Sequence, residues 1–219
     1  MASPADPNTS GPVATIVVAA GSGVRLGAGP KGAVPLGGRP LVTWSVATAL
    51  AAGSDVVVVV APPDRVASFA AFFSDPRVTV VAGGAARQDS VRAGLAAIPA
   101  SAGVVLVHDA ARPLAGVDVF QRVAAAVRAG AAAVVPVLPA VDSIRRVGPA
   151  GTAPVDRSDL RRVQTPQGFA AAAFRAAHAA AIGLELTDDA TVMERAGQAV
   201  AVVDGDPDGF KVTEPNDLV

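Results

Sequence analysis

Two of the eighteen basic residues are lysines, and both fall in segments built like phosphate-handling loops. Lys31 closes the stretch Ala19-Ala20-Gly21-Ser22-Gly23-Val24-Arg25-Leu26-Gly27-Ala28-Gly29-Pro30-Lys31, and Lys211 stands in Gly209-Phe210-Lys211-Val212-Thr213. Every other cation is an arginine, the mark of an Ala- and Arg-rich codon bias. A lysine kept against that bias points to its own chemistry, a compact ammonium that meets a phosphate oxygen as a point charge. Chance placement is the alternative. The glycines let backbone N–H groups approach an anion closely. Spacing rejects two common phosphate loops. A dinucleotide fingerprint needs a glycine where Leu26 stands and an acid where Val60 and Ala61 end the second strand. A P-loop needs Gly-Lys-Ser/Thr, and the chain has Pro30-Lys31-Gly32. What remains is a glycine loop with two cations, Arg25 and Lys31, suited to a triphosphate and to the charge that builds on it during phosphoryl transfer. A surface loop with incidental charges is the competing reading.

His108-Asp109-Ala110-Ala111-Arg112-Pro113 supplies a carboxylate at the end of an apolar run, a place from which Asp109 could hold Mg²⁺ against phosphates. Alternatively, Asp109 caps the next turn and pairs with Arg112. His108 reads as structural, not catalytic. In Gly83-Gly84-Ala85-Ala86-Arg87-Gln88-Asp89-Ser90 the glycine pair and Ser90 could contact a base or ribose, or could form a turn and an N-cap.

Elements with a regular rhythm must position these groups. Thr15–Ala20, Val56–Ala61, Val78–Ala82, Val104–His108 and Ala132–Val137 are β-branched runs apolar on both faces, the pattern of buried parallel strands. Helices are expected at Leu41–Ala52, Asp64–Phe73, Ser90–Ala97 and Val117–Ala129, with Gly53 and Gly130 following two of them as stop signals. This alternation implies an open α/β sheet with right-handed crossovers, whose ligands gather at the carboxyl ends of the strands. After Val137 the pattern changes. Asp142–Val147 and Ala153–Val163 form two polar, Arg-rich strands joined by Gly148-Pro149-Ala150-Gly151. A hairpin with so little core is either an edge hairpin or an arm that meets a partner chain. Helices at Ala170–Ile182 and Asp188–Ala196 and strands at Gln198–Val203 and Phe210–Thr213 complete the chain.

With 219 residues, 51% of them hydrophobic, the chain can fold as one domain with a sizeable core. A net charge of −1 gives no electrostatic case for nucleic acid or a membrane surface. The absence of cysteine excludes disulfides and thiolate chemistry, and two histidines cannot build a histidine-rich metal site. Residues 1–12 read as a polar, Pro-rich disordered tail without a signal-peptide core, and residues 13–219 as the folded domain, with the arm over about 140–163. The apolar runs are too short to span a membrane, so a cytoplasmic protein is expected.

Taken in order, these segments resemble the cytidylyltransferase family that converts 2-C-methyl-D-erythritol 4-phosphate to its CDP derivative in non-mevalonate isoprenoid synthesis. The resemblance rests on the Ala-Ala-Gly-Ser-Gly loop with Arg25 and Pro30-Lys31, on Arg87-Gln88-Asp89-Ser90-Val91 and on Val107-His108-Asp109-Ala110-Ala111-Arg112-Pro113. It rests equally on Val155-Asp156-Arg157, Gln164-Thr165-Pro166-Gln167, Thr187-Asp188-Asp189-Ala190 and Phe210-Lys211-Val212-Thr213. The resemblance implies a Rossmann-like, mostly parallel open sheet of the glycosyltransferase-A type, a protruding β-arm exchanged across a homodimer, and a Mg²⁺ requirement. By matched position, Arg25 and Lys31 would stabilise the pentacoordinate transition state at the α-phosphate of CTP. Ala19, Ala20, Gly21, Ser22, Gly23, Gly83 and Ser90 would hold the nucleotide. Asp109 would face the methylerythritol hydroxyls and the metal, with Arg112, Ser143 and Thr165 on the substrate. Arg157 would reach the neighbouring subunit's site and position the substrate phosphate with Lys211.

Two features depart from the family pattern. Ser143 follows Asp142 where the family often has threonine, and the chain stops at Val219 without the closing helix the resemblance leads one to expect. A sister cytidylyltransferase acting on ribitol 5-phosphate or another polyol phosphate would carry the same loops. A nucleotide-binding module without chemistry is the remoter alternative. Retention of both Arg25 and Lys31 counts against it, because sensing needs affinity but not transition-state charge.

Overall fold

Valine runs build the centre of the fold, since β-branched side chains pack well on a sheet covered on both faces. The computed structural model describes residues 9–21, 29–149, 151–184, 186 and 188–218. In chain order its elements begin with β1 (Val13–Val18), the short pair β2 (Pro35–Leu36) and β3 (Arg39–Pro40), α1 (Leu41–Ala51) and β4 (Val56–Ala61). Then come α2 (Val66–Ala70), β5 (Val78–Ala82), α3 (Arg87–Ala97), β6 (Val104–Asp109), α4 (Val117–Arg128) and β7 (Ala133–Pro139). The arm strands β8 (Ile144–Gly148) and β9 (Gly151–Val155) precede β10 (Arg161–Val163), β11 (Gln167–Ala170), α5 (Ala171–Ala180), α6 (Asp189–Arg195) and β12 (Val200–Asp204).

The main sheet runs β10-β7-β11-β6-β1-β4-β5, with β12 parallel to β7. The period of two along β1 and β4 divides the core into two layers. Val17, Val57 and Val59 face α1 and α4, where Val42, Val46, Phe120 and Val123 cover them. Ile16, Val58 and Val60 face α3, α5 and α6, against Val91, Leu95, Phe174 and Met193. α4 shows why such a helix docks: Val119, Phe120, Val123 and Val127 recur on one stripe and are all buried. Register then brings the functional ends together. Val18 pairs with both Val60 and Asp109, so β1, β4 and β6 end side by side. No helix among the described residues is long and apolar enough to cross a membrane.

Four expectations change. Thr9 is buried and the Pro12 carbonyl accepts from the Gly103 N–H at 3.0 Å, so the ordered chain begins before Val13. Gly11 and Gly103 permit that close backbone approach, a cue that polarity alone conceals. The second arm strand ends at Val155: the Asp156 carboxylate accepts from the Ser158 N–H at 3.0 Å and turns the chain, after which Arg161–Val163 joins β7 in the main sheet. β11 went unanticipated between Pro166 and the next helix. It lies antiparallel between β6 and β7, where Gly168 packs closely on Val123 and Val127. Phe210–Thr213 joins no strand ladder and is held instead by the Val212 N–H donating to the Ala111 carbonyl at 2.8 Å.

Candidate active site

The loops that follow β1, β5 and β6 enclose an open cleft of about 410 Å³ together with the Lys211 segment. Ala19, Ala20 and Gly21 leave β1 along one wall, and Lys31 and Gly32 return to it. The Lys31 N–H donates to the Gly21 carbonyl at 3.3 Å, which closes this loop at its base. Further along, Val34 packs with Leu41 and Val212, and the Trp44 indole donates to the Leu36 carbonyl at 3.1 Å. Lys31 therefore stands on an anchored stem. Arg25, Ser22 and Gly23 lie outside the described residues, as does Thr187.

Gly84, Ala85, Ala86, Arg87 and Ser90 form the facing wall at the start of α3. Ser90 is buried; its hydroxyl accepts from the Gly84 N–H and donates to the Ala86 carbonyl, both at 3.2 Å. Asp89 accepts from the Ala86 N–H at 3.1 Å and completes the turn. Gly83 sits beneath: a Cβ there would come within 2.7 Å of the Ala20 Cβ and 2.8 Å of the Ser90 Oγ. Only glycine lets the two walls meet at this spacing. Ala86 is the N-cap of α3, so Ser90 shapes the turn from within the first turn of the helix and is not its N-cap.

Asp109 closes the floor. Its Oδ2 is 2.7 Å from the Lys211 Nζ and its Oδ1 3.4 Å from an Arg87 nitrogen. Burial alone would raise the Asp109 pKa, but Arg87 and Lys211 outweigh it and hold the carboxyl well below the usual range. Behind it, the Thr165 Oγ1 accepts from the Asp109 N–H at 3.1 Å and lies 3.2 Å from the His108 Nδ1. With that nitrogen as acceptor, the His108 Nε2–H donates to the Arg112 carbonyl at 3.2 Å. Burial pushes the His108 pKa down to about 4, so the ring is neutral and structural. Thr165 is thus turned toward the Asp109 backbone and the imidazole.

Arg112 does not pair with Asp109. Its guanidinium donates to the Gly209 carbonyl at 2.8 Å and the Val163 carbonyl at 3.4 Å, and it holds the Lys211 segment to the end of β10. Gln164 reinforces that joint, donating to the Asp206 carbonyl at 2.7 Å and accepting from the Asp206 N–H at 2.8 Å. Arg157 and Ser143 lie on the arm, both exposed and outside this cleft's lining; Arg157 donates to the Val141 carbonyl. Arg87, Asp189 and Gln164 are structural partners of the site that motif reading named without assigning a role.

Among the described residues no three acidic or imidazole side chains converge to hold a metal ion. Asp109 is the carboxylate that lines the cleft. One carboxylate suits a cation that arrives with phosphates, since Mg²⁺ commonly takes one or two protein carboxylates and completes its shell from substrate oxygens and water.

A mostly parallel sheet with a glycine loop, two lysines and one carboxylate at its carboxyl edge defines a nucleotidyltransferase-like protein. Residues 13–219 match the sequence profile of 2-C-methyl-D-erythritol 4-phosphate cytidylyltransferase, IspD. The relative of that name from Nocardia farcinica is 50% identical over 218 residues, which span 97% of this chain and 94% of the relative. A bifunctional enzyme IspD/IspF from Clavibacter michiganensis subsp. michiganensis is also 50% identical, and the chain spans 54% of its length. The crystal structure of 2-C-methyl-D-erythritol 4-phosphate cytidylyltransferase from Thermus thermophilus superposes with a TM-score of 0.78 at 37% identity, covering 94% of this chain and 95% of that one. The chain belongs to the IspD cytidylyltransferase family.

Proposed function

We propose that the cleft transfers CMP from CTP to 2-C-methyl-D-erythritol 4-phosphate, giving 4-diphosphocytidyl-2-C-methyl-D-erythritol and pyrophosphate. The observation that carries this reading is the meeting of Lys31, Lys211, Arg87 and Asp109 in one cleft at the carboxyl ends of β1 and β6. A phosphate monoester is already an anionic nucleophile, so no covalent intermediate is required. An oxygen of the acceptor phosphate attacks the α-phosphorus of CTP; the new P–O bond forms as the bond to the β-phosphate's bridging oxygen breaks, and pyrophosphate leaves. Catalysis is then positioning and charge neutralisation. Lys31, with Arg25, takes the charge that accumulates at the α-phosphate. The walls at Ala19–Gly21 and Gly84–Ser90 hold the nucleotide, with Gly83 setting their separation. Lys211 leaves Asp109 for the acceptor phosphate, and Asp109 turns to acceptor hydroxyls. Asp109 would also hold Mg²⁺, whose bound charge would offset that of the triphosphate.

Arg157 stands outside its own chain's cleft, on an arm whose Val141 and Val147 are 65% and 77% exposed. A homodimer that places the arm over a partner's cleft would cover those side chains and bring Arg157 to the acceptor phosphate. The test is pyrophosphate release with each of the four nucleoside triphosphates against methylerythritol phosphate and ribitol 5-phosphate, with Mg²⁺ and with EDTA. CTP with methylerythritol phosphate and Mg²⁺ should be the best combination. Faster turnover of ribitol 5-phosphate would overturn the assignment, and full activity in EDTA would remove the metal.

A further inference from the structure

From behind the cleft into it runs a row of alternating charges whose inner half, Asp189 and Arg87, has no part in the reaction as written. Asp189, at the first turn of α6, is fully buried, with its Oδ2 2.6 Å from the Arg87 Nη1. The Arg87 Nη2 stands 3.4 Å from the Asp109 Oδ1, and Lys211 takes the other Asp109 oxygen at 2.7 Å. The row therefore reads Asp189, Arg87, Asp109, Lys211, from core to solvent. Its inner end is fixed. The Asp188 carboxylate accepts from the Thr191 N–H at 2.9 Å and its hydroxyl at 2.6 Å, and so caps α6. Gln167 on β11 donates to that carboxylate and accepts from the Ala190 N–H, both at 3.2 Å. The outer end is different. Lys211 carries its ammonium on a flexible stem and is 47% exposed, whereas Arg87 is a planar fork with one arm tied to a buried carboxylate.

The two cations on Asp109 thus differ in kind, one mobile and one anchored. We propose that Arg87 is a positioning residue: held by Asp189, it keeps the Asp109 carboxylate oriented toward the acceptor after Lys211 has moved to the acceptor phosphate. This rests on the reading of Asp109 as a ligand of the acceptor. Asp189 lines no part of the cleft; its other oxygen lies 3.4 Å from the Nε2 of His178, which is also buried away from the cleft, so Arg87 is the partner through which it reaches the site. A lysine at position 87 would keep the charge but offers one nitrogen where Arg87 uses two, Nη1 for Asp189 and Nη2 for Asp109.

Steady-state kinetics of the full chain in a double-mutant cycle tests this, using Asp189→Asn, Asp109→Asn and the pair, with Arg87→Lys as a second probe. Asp189→Asn should lower kcat/KM for the acceptor roughly tenfold, the scale seen when a group that orients a ligand is lost, and leave KM for CTP unchanged. In the Asp109→Asn background the same change should cost less than about twofold, since coupled residues are not additive. Arg87→Lys should behave like Asp189→Asn and supplies the same cycle if that variant does not fold. Equal losses in both backgrounds, or a rescued Arg87→Lys enzyme, would mean a general structural role and overturn the proposal. An impaired Asp109→Asn enzyme beside an unimpaired Asp189→Asn enzyme would overturn it while sparing Asp109. An unimpaired Asp109→Asn enzyme would sink the reading of Asp109 itself.

Discussion

His108 should make the protein acid-sensitive in a window where few side chains titrate. The imidazole is fully buried, packed with its centroid 4.8 Å from that of Phe120, and its pKa is depressed from 6.5 to about 4. The folded state holds the neutral ring, while the unfolded chain takes up a proton at the ordinary value. Above about pH 6.5 both states are neutral and His108 costs nothing. As the pH falls from 6.5 toward 4, only the unfolded state is protonated, and the fold loses stability; below about 4 both states are protonated and the loss levels off. The interval between 6.5 and about 4 corresponds to roughly 3 kcal/mol at ~1.4 kcal/mol for each pH unit. Urea unfolding of the wild type and His108→Gln at pH 7.5, 6, 5 and 4 isolates this contribution, because the other titrating groups are shared. The variant should be the less stable at pH 7.5, and the gap should close by roughly 3 kcal/mol at pH 4. A gap that stays constant within about 1 kcal/mol over that range would refute the neutral, desolvated imidazole.

Three further outcomes are expected. Lys31→Ala and Arg25→Ala should lower kcat by ~10²–10³ with little change in KM for CTP, as when a donor to developing charge is removed, and Lys31→Arg should not restore the rate; a near-wild-type kcat in either alanine variant would remove its transition-state role. Gly83→Ala forces a methyl between the Ala20 Cβ and the Ser90 Oγ. Overpacking of this kind costs about 1–3 kcal/mol, so isothermal titration should show CTP affinity reduced roughly tenfold; unchanged affinity would mean the walls give way freely. Arg157→Ala/Lys211→Ala heterodimers should show about half of wild-type activity, and a randomly exchanged equal mixture about a quarter, since one of the two sites in each heterodimer is then intact. Demonstrated heterodimers without recovery would place both residues in one subunit's site.

The alternation of valine runs with Ala-rich helices was enough to place β4 and β5 at their observed bounds and to predict that ligands gather beyond β1 and β6. That much is local, because periodicity, caps and glycine punctuation act within a few residues. Lys31 and Lys211, as the chain's two lysines, Asp109, as a carboxylate ending an apolar run, and Ser90, beside a glycine pair, were equally legible, and the structure brings all four to one cleft. What each of them touches was not legible. Arg112 follows Asp109 by three residues yet turns to Gly209 and Val163, while Asp109 is held by Arg87 and by Lys211, 102 positions away. β11 escaped notice because its four residues are buried by strands on both sides and not marked by their own composition. Asp189 stood in the sequence only as part of Thr187-Asp188-Asp189-Ala190, and only the packing of α6 on the sheet buries it beside a guanidinium. Sequence alone determined that Lys31, Ser90 and Asp109 gather at the carboxyl edge, because that follows from the order of strands and loops. Their partners and charge states were decided by tertiary structure, because a carboxylate's energy is set by the desolvation and opposite charge around it, and both come from residues distant in the chain.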